Sequence, residues 1–424
     1  MTQGTEEKPE KIGSFISSLS VLNFLFALTM NVFGYTVFFL LEKSSIPIVY
    51  GGIGTTIGQV VLLFILLPQG RLIDRGKSYA LMIIGAVIYS IAVILIFVNS
   101  LILFEYAGIA MSILIGTVLV TQNTFKSSLT SFIGKAVRQS IIGKHYSRII
   151  MMEMFGGAVA MFTAAAAIFF STFKVIYLAS GLLLFASTVL AFFVLFPENR
   201  KMTQEDERKT KRPRFMESVS ALRTRSRFVT PILMTKIFMA IGVYVVSYFY
   251  IISGQNIGVQ PIYAIMALGI GFAISIPAGL YGEKYVDRHP MSGKSYVVIL
   301  ALLDLGMYAF LALAFYYTIP ALFYLSLGFS APGPLFVAGG MSYELKVIGK
   351  ENRGMFAAIQ RTLVGITFIV IGIPMALLFS VDYRLIWLVL LIVSVGTVLS
   401  SALIPSREYV EKYYAESIPA QDKV

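Results

Sequence analysis

The chain has 424 residues, 57 % of them apolar and only 13 % charged, with a net charge of +12 and no cysteine. That balance lies far from the soluble average and excludes an ordinary soluble enzyme, and the missing thiols exclude disulfides and thiolate metal sites. His145 and His289 fall in separate predicted loops, so no buried metal cluster and no cofactor is expected.

Residues 1–14 form a polar tail with Glu6, Glu7, Lys8, Glu10 and Lys11. The apolar span behind it is too long for a secretory h-region and has no convincing cleavage site, so it reads as retained. A bilayer core of about 30 Å needs roughly 20 apolar residues per helix. Stretches of that size recur at 17–41, 48–68, 79–99, 101–123, 149–171, 175–196, 229–252, 259–281, 296–317, 319–342, 354–379 and 384–404. The expected fold is an all-α membrane protein with twelve transmembrane helices. Of the 34 Lys and Arg residues, 29 fall in the tails and in the loops after even-numbered spans. The positive-inside rule then predicts a multi-pass protein of the cell membrane with both termini cytoplasmic. Distributed in this way, the charge is topological, with some attraction to anionic membrane lipid, and argues against nucleic acid as a partner.

One charged hairpin is written twice. Gly70-Arg71-Leu72-Ile73-Asp74-Arg75-Gly76-Lys77-Ser78-Tyr79 follows the second span. Tyr285-Val286-Asp287-Arg288 and then Gly293-Lys294-Ser295-Tyr296 follow the eighth, with Asp74 and Asp287 separated by 213 residues. The same offset carries Asn23, Ala27, Asn31 and Tyr35 of the first span onto Lys236, Ala240, Tyr244 and Tyr248 of the seventh. It also carries Gly54 and Gly58 onto Ala267 and Gly271, a small-xxx-small spacing that lets helix backbones approach closely. The longest polar stretch, 197–227, holds ten basic residues and divides the chain into bundles 1–196 and 228–424. Both hairpins end in Gly-Lys-Ser, but Arg71 and Arg288 stand where a phosphate-binding loop needs glycine, so no nucleotide is expected.

The hairpin resembles the loop signature G-x-L-x-D-R-x-G-R/K of the major facilitator superfamily, lacking the residue between Arg75 and Gly76. Glu351-Asn352-Arg353-Gly354 and Ser147-Arg148 are similar to the family's openings of the eleventh and fifth helices. The resemblance implies two pseudo-symmetric six-helix bundles around a cavity that opens to each side of the membrane in turn. It also implies that Gly70, Asp74, Arg75, Gly76, Lys77, Asp287, Arg288 and Arg353 form a gating motif, where Asp caps helix-end N–H groups and Arg grips a carboxylate or helix C-terminus. The alternative is that the basic hairpin residues only fix topology.

Ionisable groups inside spans are costly and point to function. Lys236 faces substrate or snorkels to the surface, and Asp304 carries protons or pairs with Lys236 or Arg361. Glu153 and Arg361 either pair with each other or snorkel separately. With Asn23, Asn31, Tyr35, Tyr244 and Tyr248, these form the candidate substrate or coupling set. The Pro332-Gly333-Pro334 run is expected to kink the tenth span. The expected function is secondary active transport of a small polar or anionic organic solute by alternating access, with protons as the candidate coupling ion. The alternatives are a multidrug/proton antiporter and a transporter-like solute sensor that moves nothing. No nucleophile–base pair is visible, so an enzyme is not expected.

Overall fold

The structure, a computed structural model, describes residues 9–73, 77–102, 105–136, 142–206, 226–288, 293–330, 332–333, 336–337 and 353–406. In hydrocarbon a backbone must satisfy its own hydrogen bonds, and long apolar segments do so as helices. Twelve helices follow among the described residues: α1 (Pro9–Lys43), α2 (Val49–Leu72), α3 (Ser78–Leu101), α4 (Ala107–Ala136), α5 (Ile142–Phe169), α6 (Val175–Asp206), α7 (Ser226–Asn256), α8 (Pro261–Arg288), α9 (Gly293–Tyr317), α10 (Pro320–Ser330), α11 (Arg353–Val381) and α12 (Tyr383–Ala402). Ten contain stretches long and apolar enough to cross a membrane, and Pro261–Pro277 and Pro320–Phe329 are shorter apolar helices. The chain is an all-α, multi-pass membrane protein.

Several helices outrun their apolar spans. α1 begins at Pro9, within the polar tail, α4 continues past residue 123 to Ala136, and α5 starts at Ile142 rather than 149. α6 carries the first residues of the basic stretch, through Pro197, to Asp206. The apolar run marks what hydrocarbon covers, whereas the helix ends only where its hydrogen-bond ladder is interrupted. α10 is described as Pro320–Ser330, and of the Pro332-Gly333-Pro334 run expected to kink it, Pro334 lies outside the described residues.

The chain divides into two compact units, Met1–Lys211 and Arg212–Val424. In the first, α1 packs on α5 and α6, α3 on α4 and α6, and α2 on α4. In the second, α7 packs on α11 and α12, α9 on α10 and α12, and α8 on α10. Each of the five pairings recurs six helices later.

The turn after the first helix of each unit repeats in atomic detail. Ser45 (φ 56°) and Gly258 (φ 83°) are both left-handed and stand 213 residues apart. Ile46 N–H donates to the Leu41 carbonyl at 2.9 Å, and Val259 N–H to the Gly254 carbonyl at 3.0 Å. This left-handed cap with a six-residue hydrogen bond satisfies carbonyls that a helix C-terminus would leave bare. It recurs after α5 and α9, through Ser171 and Thr318.

Candidate functional site

α1 carries the first polar stripe. Asn23 and Asn31 are buried, and the Asn31 amide donates to the Ala27 carbonyl one turn back at 2.7 Å, while Tyr35 is half-buried. α5 lies so close to this helix that a Cβ on Gly156 would stand 2.7 Å from the Phe24 carbonyl oxygen. Phe24 and Phe155 stack at 5.4 Å beside that contact.

Glu153, less than one turn before Gly156, is engaged by a residue that the sequence reading placed in a loop. Lys126 of α4 donates to its Oε1 at 2.6 Å, the one ion pair among the described residues. Both side chains remain accessible, 40 % for Lys126 and 26 % for Glu153. α4 and α5 otherwise touch only briefly, so the pair bridges two helices that packing leaves apart. A signal for Lys126 was present in the sequence. Thr121, Gln122, Asn123, Thr124 and Lys126 follow one another with no Gly or Pro between Gly116 and Gly134, so nothing ends the helix at residue 123.

In the second unit the stripe on α7 has a different fate. Tyr244 donates its hydroxyl to the Gly372 carbonyl of α11 at 3.3 Å and packs against Tyr248 at 4.9 Å and Phe368 at 5.4 Å. Tyr244 thus sits within the α7–α11 seam, with Tyr248 buried beside it. Lys236, two turns earlier, is half-buried, and Arg361 on α11 is exposed.

Asp304 lies midway along α9. At about 100° per residue it points away from the exposed Leu302 and Leu313, along the stripe of Val297, Ala301, Tyr308, Leu311 and Phe315. No described residue hydrogen-bonds or pairs with its carboxyl group, so the pair with Lys236 or Arg361 that the sequence allowed is not formed.

Of the hairpin motif, Asp74, Arg75 and Gly76 lie outside the described residues, as does His289. Gly70 has open space where a Cβ would be, and Lys77 is exposed. Asp287 and Arg288 close α8 and Arg353 opens α11, with only their backbone described. The tyrosine that ends each hairpin copy is buried against the fourth helix of its unit. Tyr79 sits 5.8 Å from Phe132, and Tyr296 sits 6.3 Å from Phe336, just beyond the described end of α10. Tyr79 also donates to the Phe192 carbonyl of α6 at 2.7 Å. No group of His, Asp or Glu suited to a metal ion occurs among the described residues.

A sequence model described as Major Facilitator Superfamily matches residues 19–370. The chain belongs to that superfamily. Solved structures of the same fold include a D-xylose–proton symporter, at 15 % identity and TM-score 0.70, covering 93 % of this chain and 97 % of that one. A bacterial homolog of the human lysosomal transporter Spinster, inward-facing and occupied, aligns at 11 % identity and TM-score 0.68, covering 98 % and 100 %. The xylose transporter XylE from E. coli aligns at 15 % identity and TM-score 0.63, covering 93 % and 99 %. Identities this low show the shared fold alone. No curated protein matches the chain. Membership of the superfamily makes it a secondary transporter rather than an enzyme.

Proposed function

We propose that this transporter moves a small polar or anionic organic solute by alternating access, with protons as the coupling ion. The observation that carries the anionic reading is the half-exposed Lys126–Glu153 pair. An accessible ion pair adds only about 0–1 kcal/mol of stability, and apolar residues commonly serve a scaffold as well or better. What the pair offers is a cation whose counter-ion can be exchanged, so a solute carboxylate or phosphate can take Lys126 over from Glu153. Lys236, Arg361 and the polar groups of α1 (Asn23, Asn31 and Tyr35) are further candidates for contact along the path.

In this reading Gly70, Asp74, Arg75, Gly76, Lys77, Asp287, Arg288 and Arg353 hold and release the gate. Residues 197–227 tether the bundles 1–196 and 228–424, and the basic loops keep both termini in the cytoplasm of a cell-membrane protein.

The test is thermal stabilisation of the protein in liposomes by sugars, organic acids, amino acids and lipophilic cations, followed by uptake. An organic acid is expected to stabilise it, with apparent affinity falling at least tenfold in Lys126→Ala. Stabilisation by lipophilic cations alone, with proton-driven extrusion, would overturn the reading in favour of drug antiport.

A further inference from the structure

We propose that the carboxyl group of Asp304 is the site that takes up and releases the coupling proton. The inference rests on the transport reading above and gives it a specific atom.

Position comes first. Asp304 stands about 16 Å from one end of α9 and about 20 Å from the other at 1.5 Å per residue. Its helix is one continuous span, Lys294–Tyr317, so the carboxyl group is at the depth where a charge is most expensive. It does not escape sideways, because the outward face of α9 belongs to Leu302, Leu313 and Tyr316, exposed by 45–57 %. It does not escape lengthwise, because an Asp side chain is far too short to snorkel across three turns.

Surroundings come second. The helices packed on α9 are α10, α12 and α7. Their described charged residues are Arg384 on α12 and Arg227 and Lys236 on α7, and α10 contributes the phenol of Tyr324 but no charge. α9 itself adds Lys294 and its tyrosines, of which Tyr308 is nearest, one turn on, with its hydroxyl pressed against Gly242 of α7. Among the described residues none of these groups bonds to Asp304. The position is not sealed, however. Val297, Ala301, Tyr308 and Leu311 around it are 0–6 % exposed, while Asp304 keeps intermediate exposure on the same face. Asp304 is the least covered residue of this stripe, which is where water would reach the carboxyl group.

The scaffold gives no reason for an acid at this place. α3, which holds the same position in the first unit and makes the same pairings, has no Asp, Glu, Lys or Arg between Ser78 and Leu101. An acid with no counter-charge among the described residues at mid-membrane fits as the neutral form. Its chemistry is then proton exchange with water: a hydronium O–H bond breaks as the carboxyl O–H bond forms on one side of the membrane, and the reverse occurs on the other. A proton bound there while an anion moves keeps the transported unit electroneutral.

The test compares wild type, Asp304→Asn and Asp304→Glu in liposomes, and Asn preserves the shape of the side chain. Infrared spectra at neutral pH are expected to show a carboxylic-acid C=O band that Asp304→Asn removes and Glu153→Gln leaves. An identical band in wild type and Asp304→Asn would overturn the assignment whatever the substrate is. Vesicles with an entrapped pH dye then receive lactate, succinate or glucose. Proton entry on solute addition is expected in wild type, to fall at least tenfold in Asp304→Asn and to return in Asp304→Glu. Proton entry that persists in Asp304→Asn sinks the proposal while leaving the transport reading intact. If none of these solutes brings protons into wild-type vesicles, the transport reading fails for them, and the infrared band alone decides whether Asp304 is a proton site.

Discussion

The two units share their helix pairings but differ in how one pair is sealed. Between α2 and α4, glycine meets glycine: a Cβ on Gly58 would lie 2.9 Å from the Gly116 carbonyl, and one on Gly116 would lie 3.2 Å from the Gly54 carbonyl. A Cβ on Gly54 would reach within 2.7 Å of the Ser112 carbonyl. Between α8 and α10, Ala267 replaces the first glycine, and Gly271 and Gly328 have nothing within 4 Å. In lipid, helix association depends on close packing of this kind rather than on a hydrophobic drive. The repeat has therefore kept which helices pair, not how tightly. The first unit is welded at this seam by backbone contact, and the second leaves open space beside Gly271 and Gly328.

The largest test of that contrast is a bulky residue in the welded seam. Gly54→Leu is expected to cost about 3 kcal/mol or prevent folding, because the neighbour in its way is backbone and cannot rotate aside. Gly58→Ala should cost about 1–2 kcal/mol, whereas Gly271→Ala, in open space, should change stability by less than about 0.5 kcal/mol. Denaturant unfolding in mild detergent measures all three, and equal costs at Gly58 and Gly271 would erase the distinction.

The repeated turn offers a smaller test with opposite signs. Gly258→Ala places a Cβ in a left-handed backbone and is expected to cost about 1 kcal/mol. Ser45→Gly relieves the same strain in the first unit, with a gain of some tenths of a kcal/mol offset by added freedom in the unfolded chain. A modest effect of similar size should come from the seams of α1 with α6 and of α7 with α12. There the Thr36 and Tyr177 hydroxyls meet at 2.7 Å, and Trp387 Nε1 donates to Ser253 at 2.9 Å. Tyr177→Phe and Ser253→Ala should each cost about 0.6 kcal/mol, typical of hydrogen bonds between helices in membranes. A cost confined to one unit would show that only that seam needs its bond.

Much of this was legible in the residues. Apolar length gave the helices, because hydrocarbon permits almost nothing else, and the 213-residue offset gave the duplication. Asp304 announced itself by its cost. The ends of α4 and α5 were missed by following the apolar run, which records where lipid stops and not where hydrogen bonding stops, although the stretch after residue 123 holds no Gly or Pro to end α4. That error hid Lys126 in a supposed loop and left Glu153 without its nearest partner.

By itself the sequence determined the class of protein, the number of spans and the duplication, since these follow from local composition and spacing. Which groups meet was decided only by tertiary structure. Helical periodicity says that a face is polar but not which helix it turns toward, so it could not give Lys126 to Glu153, put Tyr244 into the seam with α11, or leave Asp304 without a described partner. The tightness of the two seams belongs to the same class. Gly58 and Gly271 are one residue type at matching positions, and only the neighbour across the helix makes one a weld and the other a gap.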